Sequence, residues 1–107
     1  MTHSLELGDD ERGRVLKIIG DADMSAADSI EAAITRATAG GGKVITIDLG
    51  ETTMLDSRTI GVLVDWSARL RQAGGSMPIV CFDDNILRLF SALGLESSLE
   101  FADRKRD

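Results

Sequence analysis

The stretch Met54–Val64, MLDSRTIGVLV, decides how this chain is expected to fold, because it carries the chain from a strand into a helix. Residues 43–49 before it are rich in β-branched side chains and lie between glycines, which predicts a central strand. Either Asp56 or Ser57 is suited to cap the first-turn N–H groups of the helix after this strand. A phosphate on Ser57 would meet these N–H groups and the positive end of the helix dipole.

The rest of the chain alternates strands with amphipathic segments. The predicted elements are a strand at 5–7, a strand at 15–20, a helix capped by Ser25 and ended by Gly40, a strand at 43–49, a helix at 58–73, a strand at 77–82, a helix at 86–93 and a strand at 99–101. This order predicts a single α/β domain with a mixed sheet of four to five strands. Its β-α-β units are expected to be parallel and right-handed.

Length and charge exclude several classes of protein. A chain of 107 residues forms one domain with a core of its own. The net charge of −6 argues against general nucleic-acid binding, and we interpret the basic run at 104–106 as a solvated end. No apolar run approaches the roughly 20 residues of a membrane span, and residues 1–6 do not resemble a signal peptide. We therefore expect a cytoplasmic protein that binds neither nucleic acid nor membrane.

Residues that catalysis or metal binding would require are scarce. The single cysteine, Cys81, lies in the apolar run 79–82 and is predicted to be a buried strand thiol. The single histidine, His3, lies in a segment expected to be loosely held. Neither a Cys/His metal site nor a nucleophile with a histidine base is indicated. We therefore expect that the protein is not an enzyme and that it binds neither a cofactor nor a metal ion.

The strand–helix junction resembles a known family. The resemblance rests on seven short runs at the junction and on both sides of it: Ile47-Asp48-Leu49, Met54-Leu55-Asp56-Ser57, Ile60-Gly61-Val62-Leu63, Gly20-Asp21-Ala22-Asp23, Ala73-Gly74-Gly75, Arg88-Leu89-Phe90 and Leu93-Gly94-Leu95. They resemble the anti-sigma-factor antagonists, which are the stand-alone STAS domains of bacterial partner-switching systems. Arg58 and Thr59 depart from the family pattern, which has a small hydroxyl residue and a glycine there.

The resemblance implies a STAS-like fold with helices mainly on one face of the sheet. It also implies that a serine kinase, itself the anti-sigma factor, phosphorylates Ser57 and binds only the unphosphorylated form. A phosphatase would restore binding, and the free protein is expected to be a monomer. The residues implied at the partner surface are Asp23, Asp56, Ser57, Arg58, Thr59 and Val62.

Each of these residues also has a purely structural interpretation. Ser57 or Asp56 is explained by capping alone, and Asp23 by a turn before the first helix. Arg58 either pairs with a phosphate on Ser57 or is simply an exposed first-turn residue. Thr59 is a second candidate phosphoacceptor. The remaining interpretations are that Val62 and Trp66 belong to the core or to an interface, that Met24 and Met54 are packing residues, and that Thr52 and Thr53 are loop residues.

Two rival functions stay open. Asp9-Asp10, Asp56 and Lys105 are suggestive of a phospho-aspartate receiver, although the first pair is typical of a turn. The second rival keeps the STAS fold without the switch and makes the chain a constitutive subunit of a larger complex, such as a lipid-transport accessory or a signalling scaffold. Because the chain has no phosphate-binding loop of the Gly-Lys-Ser/Thr kind, the phosphoryl-transfer machinery is expected to belong to the kinase.

Overall fold

The structure, a computed structural model, describes residues 3–11 and 13–102. Its elements are β1 (His3–Asp10), β2 (Gly13–Ala22), α1 (Met24–Thr38), β3 (Thr46–Leu55), α2 (Ser57–Gln72), β4 (Pro78–Val80), α3 (Asp84–Ala92) and β5 (Glu100–Phe101). Predictions that concern residues 1–2 and the basic run 104–106, with Lys105, lie outside the described residues. None of the helices in the described ranges is both long and apolar enough to cross a membrane.

The five strands form one sheet in the order β1-β2-β3-β4-β5. β1 and β2 are an antiparallel hairpin, whereas the other three pairs are parallel. Each parallel pair is joined through one helix. Because such crossovers are right-handed, and because the strands lie in sequence order, all three helices lie on the same face of the sheet. The predicted α/β fold with a mixed sheet is confirmed.

The core lies between that face and the helices. Leu16 of β2, Ile47 of β3 and Ile79 of β4 stand next to one another in the register, and all three are fully buried. On the helix side, α1 contributes Ile30 and Ile34, which are also fully buried. The apolar side chains of the sheet and of the amphipathic helices thus form a single hydrophobic cluster.

β3 is longer than the sequence predicted. The chain does not leave the sheet at Gly50, because Lys17 pairs with Asp48 and Ile19 with Glu51, so that one residue of β2 opposes two of β3. This β-bulge absorbs the glycine without ending the ladder. The interpretation of Thr52 and Thr53 as loop residues is therefore wrong. Both lie in β3.

The start of α1 and the end of β4 also differ from the prediction. The N-cap of α1 is Asp23, not Ser25, because the aspartate side chain accepts the hydrogen bond from the Ser25 N–H group. Cys81 is buried as predicted, but it comes directly after β4 instead of lying within it. Gly75 is required by close packing, since a Cβ atom there would lie 1.8 Å from the Lys43 carbonyl oxygen.

Candidate functional site

The candidate site lies at the carboxyl ends of β2 and β3, which meet at one edge of the sheet. Ala22 pairs with Leu55 at the ends of the two strands, and the Asp56 N–H group donates to the Ala22 carbonyl oxygen at 3.1 Å. This contact brings together the starts of α1 and α2. We use the name strand-end surface for the residues around this contact, which are Asp23, Met24, Met54, Asp56, Ser57 and Arg58.

Asp56 is the residue that caps α2. Its backbone is extended, and its carboxylate accepts a hydrogen bond from the Thr59 N–H group at 2.9 Å. Ser57 is the first helical residue and is exposed to solvent. Within the described part of the chain, its hydroxyl makes no hydrogen bond. Of the two capping candidates, the aspartate fills the role, which leaves the serine hydroxyl available at the surface.

Thr59 is a buried anchor. Its side chain is fully inaccessible, and its hydroxyl lies 3.3 Å from the Ala22 carbonyl oxygen and 3.4 Å from that of Asp23. These bonds tie the first turn of α2 to the end of β2. In the folded domain a kinase therefore cannot reach the Thr59 hydroxyl, and a partner cannot contact it. This outcome removes Thr59 from the predicted partner surface and leaves Ser57 as the accessible hydroxyl of that turn.

Arg58 reaches across to the neighbouring helix. Its guanidinium Nη2 donates to Asp28 Oδ1 of α1 at 2.6 Å. A cation in the first turn of a helix opposes the helix dipole, and the ion pair with Asp28 offsets part of that cost. The two side chains are 55% and 80% exposed, respectively, so the pair is strongly screened by solvent.

Asp23 caps α1 and faces the same edge. Its carboxylate accepts hydrogen bonds from the Ser25 hydroxyl at 2.7 Å and from the Ser25 N–H group at 3.0 Å. The hydroxyl bond is the main reason why the pKa of Asp23 lies below its ordinary value, and the hydrogen bond from the Ser25 N–H group acts in the same direction. The surface therefore carries a firmly ionised carboxylate beside the end of β2.

Two methionines at this edge are exposed. Met24 is 65% exposed and Met54 is 41% exposed, so their interpretation as packing residues is wrong. The exposure of Met54 does not follow from strand alternation, because Thr53 and Met54 are both exposed where the pairing of β3 with β2 shifts register. Methionine is enriched in protein–protein interfaces relative to the rest of the surface, so these two side chains are candidate contact residues.

Further along α2, Val62 and Trp66 are half-buried and pack against the core. The Trp66 ring also stacks under the Arg69 guanidinium, 4.5 Å from the ring centroid. Gly61, one turn after Ser57, is exposed, and a Cβ atom there would touch nothing. Packing therefore does not explain a glycine at this helical position.

The receiver-like interpretation of the acidic residues does not fit the topology. Asp10 pairs with Gly13 at the beginning of β2, whereas Asp56 lies beside Ala22 at the end of β2. Asp9 belongs to the same distant hairpin end, where its carboxylate lies 3.8 Å from Arg14. The acidic pair and Asp56 are thus at opposite ends of a ten-residue strand. In residues 3–11 and 13–102, no cluster of three metal-ligating side chains occurs.

Comparison with known proteins finds similar sequences and similar folds. The sequence model of the STAS domain family matches residues 6–107 of this chain. A curated relative, the anti-sigma-B factor antagonist of Listeria monocytogenes, is 28% identical over 101 residues, which cover 94% of this chain and 89% of the relative.

Solved structures show the same fold. The crystal structure of an anti-sigma factor antagonist from Mycobacterium paratuberculosis aligns with a TM-score of 0.83 at 21% identity, over 96% of this chain and 87% of the other. The Bacillus cell fate determinant SpoIIAA in its phosphorylated form aligns with a TM-score of 0.71 at 20% identity, over 94% and 93% of the two chains.

Proposed function

Since the chain belongs to the STAS domain family, we propose that it is an anti-sigma factor antagonist that works by switching partners in the cytoplasm. In this proposal the strand-end surface binds an anti-sigma factor, and the sigma factor that the anti-sigma factor had held is released. The anti-sigma factor is also a serine kinase, and its transfer of phosphate to Ser57 ends the complex. A phosphatase then restores the binding form.

The observation that carries the proposal is the position of Ser57. It is exposed at the first position of α2, while Asp56 already caps the helix. A hydroxyl without a structural role, placed beside an aspartate on a rigid helix start, is suited to modification without loss of the fold. The curated relative is an anti-sigma-B factor antagonist, and the SpoIIAA structure is of a phosphorylated protein, which supports the same conclusion.

The surroundings of Ser57 explain how one phosphate would end binding. Met24 and Met54 provide exposed apolar contact area, and Asp23 and Asp56 provide negative charge. Phosphorylation adds about −1.5 to −2 charges at neutral pH. In the free protein the phosphate stays hydrated at the helix N-terminus, where the dipole favours it. In the complex it would be desolvated beside other acids and against a surface shaped for a hydroxyl, which weakens binding without unfolding the domain.

A second candidate is a STAS subunit that binds its partner constitutively. The observation that favours it is Arg58, which replaces the family's small hydroxyl residue and is held by Asp28. In this alternative, the strand-end surface still contacts a partner within a larger complex, but Ser57 is not modified.

The test uses the Ser57→Ala and Ser57→Asp variants as bait in extracts of the native cells. A partner that is captured by the first variant and not by the second is then purified and incubated with the wild-type protein and ATP. We expect this partner to phosphorylate Ser57 and to lose affinity for the product. Equal capture by both variants, with no phosphate transfer, would favour the constitutive subunit.

A further inference from the structure

The residue directly after Ser57 is already engaged with an acid of another helix. Arg58 donates to Asp28 of α1, and both residues of this pair are exposed. We propose that phosphorylation of Ser57 transfers the Arg58 guanidinium from Asp28 to the phosphate. Arg58 then acts as a positioning residue that links the phosphorylation state of α2 to the surface of α1. This inference rests on the proposed function in one respect, namely that Ser57 carries the phosphate.

The exchange is favourable because a weak ion pair is replaced by a stronger one. Exposed pairs between single charges are screened by water, so moving the guanidinium away from Asp28 has a small cost. A phosphate carries nearly two negative charges and three acceptor oxygens, and the planar guanidinium binds such a group with two parallel hydrogen bonds. Ser57 and Arg58 are consecutive helical residues whose side chains leave the axis roughly 100° apart. The exchange therefore requires the long Arg58 side chain to swing from the α1 side back to the helix start.

Apart from Arg58, the described residues of α2 provide no cationic side chain near Ser57. The carboxylates of Asp23 and Asp56 lie at the same edge and repel a phosphate. Among the described residues of α2, the other basic side chains are Arg69 and Arg71, which belong to the last turn of the helix. Arg69 is held by Asp65 at 2.8 Å, and Arg71 donates to the Ser98 carbonyl oxygen at 3.0 Å. Arg58 is thus the cationic side chain that α2 offers to a phosphate on Ser57, whereas His3 of β1 lies near Asp23.

The exchange changes two surfaces together. In the unphosphorylated protein, the charge of Asp28 is compensated by Arg58. In the phosphorylated protein, Arg58 compensates part of the phosphate charge, and Asp28 becomes an uncompensated acid on the second turn of α1. A partner that spans both helices would therefore encounter new negative charge on α1 as well as on α2.

The experiment installs phosphoserine at position 57 during translation, so that it needs no natural kinase. The second pKa of the phosphate is then measured by ³¹P NMR titration in the otherwise wild-type protein and in the Arg58→Gln variant. Because a neighbouring cation favours the dianion, we expect this pKa to be lower with Arg58 by about 0.5 to 1 unit, toward the weak end of the effect of a nearby arginine. Arg69→Gln is the matched control, because it removes a cation from the same helix far from Ser57.

A second measurement reports on Arg58 directly. Its Nε–Hε resonance is compared in three proteins: unphosphorylated wild type, phosphorylated wild type and the unphosphorylated Asp28→Asn variant. We expect phosphorylation to shift the resonance, and we expect Asp28→Asn, which removes the ion pair, to shift it without phosphorylation. In a fourth protein, the phosphorylated Asp28→Asn variant, we expect the phosphate pKa to be lower than in the phosphorylated wild type. The inference is overturned if Arg58→Gln leaves the phosphate pKa unchanged and the resonance does not move. Failure to find natural phosphate on Ser57 would instead contradict the proposed function and would leave the titration result intact.

Discussion

The starts of α2 and α3 use the same cap but differ in the residues that come after it. Asp56 caps α2 by accepting from the Thr59 N–H group, and Asp83 caps α3 by accepting from the N–H groups of Asn85 and Ile86. In α3 the next residue is Asp84, an acid in the first turn that the helix dipole favours. In α2 no acid occupies the first turn.

Two of the residues after the Asp56 cap, Arg58 and Gly61, do not serve helix stability. Arg58 opposes the dipole, and Gly61 is a poor helix former with no packing role. A capping aspartate by itself therefore does not mark a functional site. The indication is the set of locally unfavourable residues next to the cap, which helix formation does not explain and the proposed partner binding would explain.

The largest expected effect comes from placing an acid at the first position of α2, as α3 has at Asp84. Ser57→Asp reproduces the Asp-Asp sequence of α3 and should weaken partner binding by roughly 2 kcal/mol or more, which is about 30-fold in Kd, through repulsion in the interface. The same change should leave the free energy of unfolding equal or raise it by about 0.3 to 1 kcal/mol, since the new charge suits the dipole. Calorimetric binding and chemical denaturation measure the two quantities.

The matched control is Asp84→Ser, which gives α3 the start of α2. It should lower the free energy of unfolding by about 0.3 to 1 kcal/mol without changing affinity. If Asp84→Ser weakened binding as much as Ser57→Asp, the two helix starts would not differ in function.

Removing each cap should have similar effects on stability. Asp56→Ala and Asp83→Ala should each lower the free energy of unfolding by about 1 kcal/mol, because each leaves first-turn N–H groups without their acceptor. Urea denaturation of both variants checks this. Only Asp56→Ala should also weaken partner binding, since Asp56 belongs to the strand-end surface. A stability loss from Asp56→Ala close to zero would mean that the carboxylate does not cap α2 in solution.

Replacing a glycine by alanine in α2 and after α3 should change the free energy of unfolding in opposite directions. Gly61→Ala should raise the free energy of unfolding by about 0.5 to 1 kcal/mol, because the new Cβ meets open space and alanine favours the helix. Gly94 lies after the end of α3 with φ of +72°, so Gly94→Ala should lower the free energy of unfolding by about 1 kcal/mol. Thermal and chemical denaturation give the signs. A loss of stability in Gly61→Ala would show that the glycine has a structural role and would weaken the argument from α2.

The smallest expected effect is the acid response of the α1 cap. The pKa of Asp23 is lowered from 3.8 in the folded protein, chiefly by the Ser25 hydroxyl, so its charge stabilises the fold above that value. This contribution should disappear as the pH falls below about 4 through the lowered pKa. The stability difference between the wild type and Asp23→Asn should therefore shrink from about pH 6 to about pH 3. A stability difference that stays constant over this pH range would mean that the charge of Asp23 does not stabilise the fold.

The order of elements could be predicted from the sequence because β-branched and apolar runs mark the core strands, and apolar side chains recur at helical spacing between them. The end of β3 could not, since a glycine usually interrupts a strand and the β-bulge that accommodates Gly50 depends on pairing with β2. Both Asp56 and Ser57 were candidate caps, because both side chains are suitable and only the backbone geometry decides between them. The burial of Thr59 depends on the distant carbonyl groups of Ala22 and Asp23, which local sequence does not reveal.

The most direct measurement is the mass of the protein isolated from its native cells, together with fragmentation of the tryptic peptide 44–58. This peptide ends at Arg58 and contains Ser57 together with Thr46, Thr52 and Thr53, so fragmentation must assign the phosphate to one residue. We expect a single phosphate on Ser57, in a fraction of the protein that changes with growth or stress conditions. A peptide that remains unmodified under all conditions, or that carries its phosphate on a threonine of β3, would contradict the proposed switch.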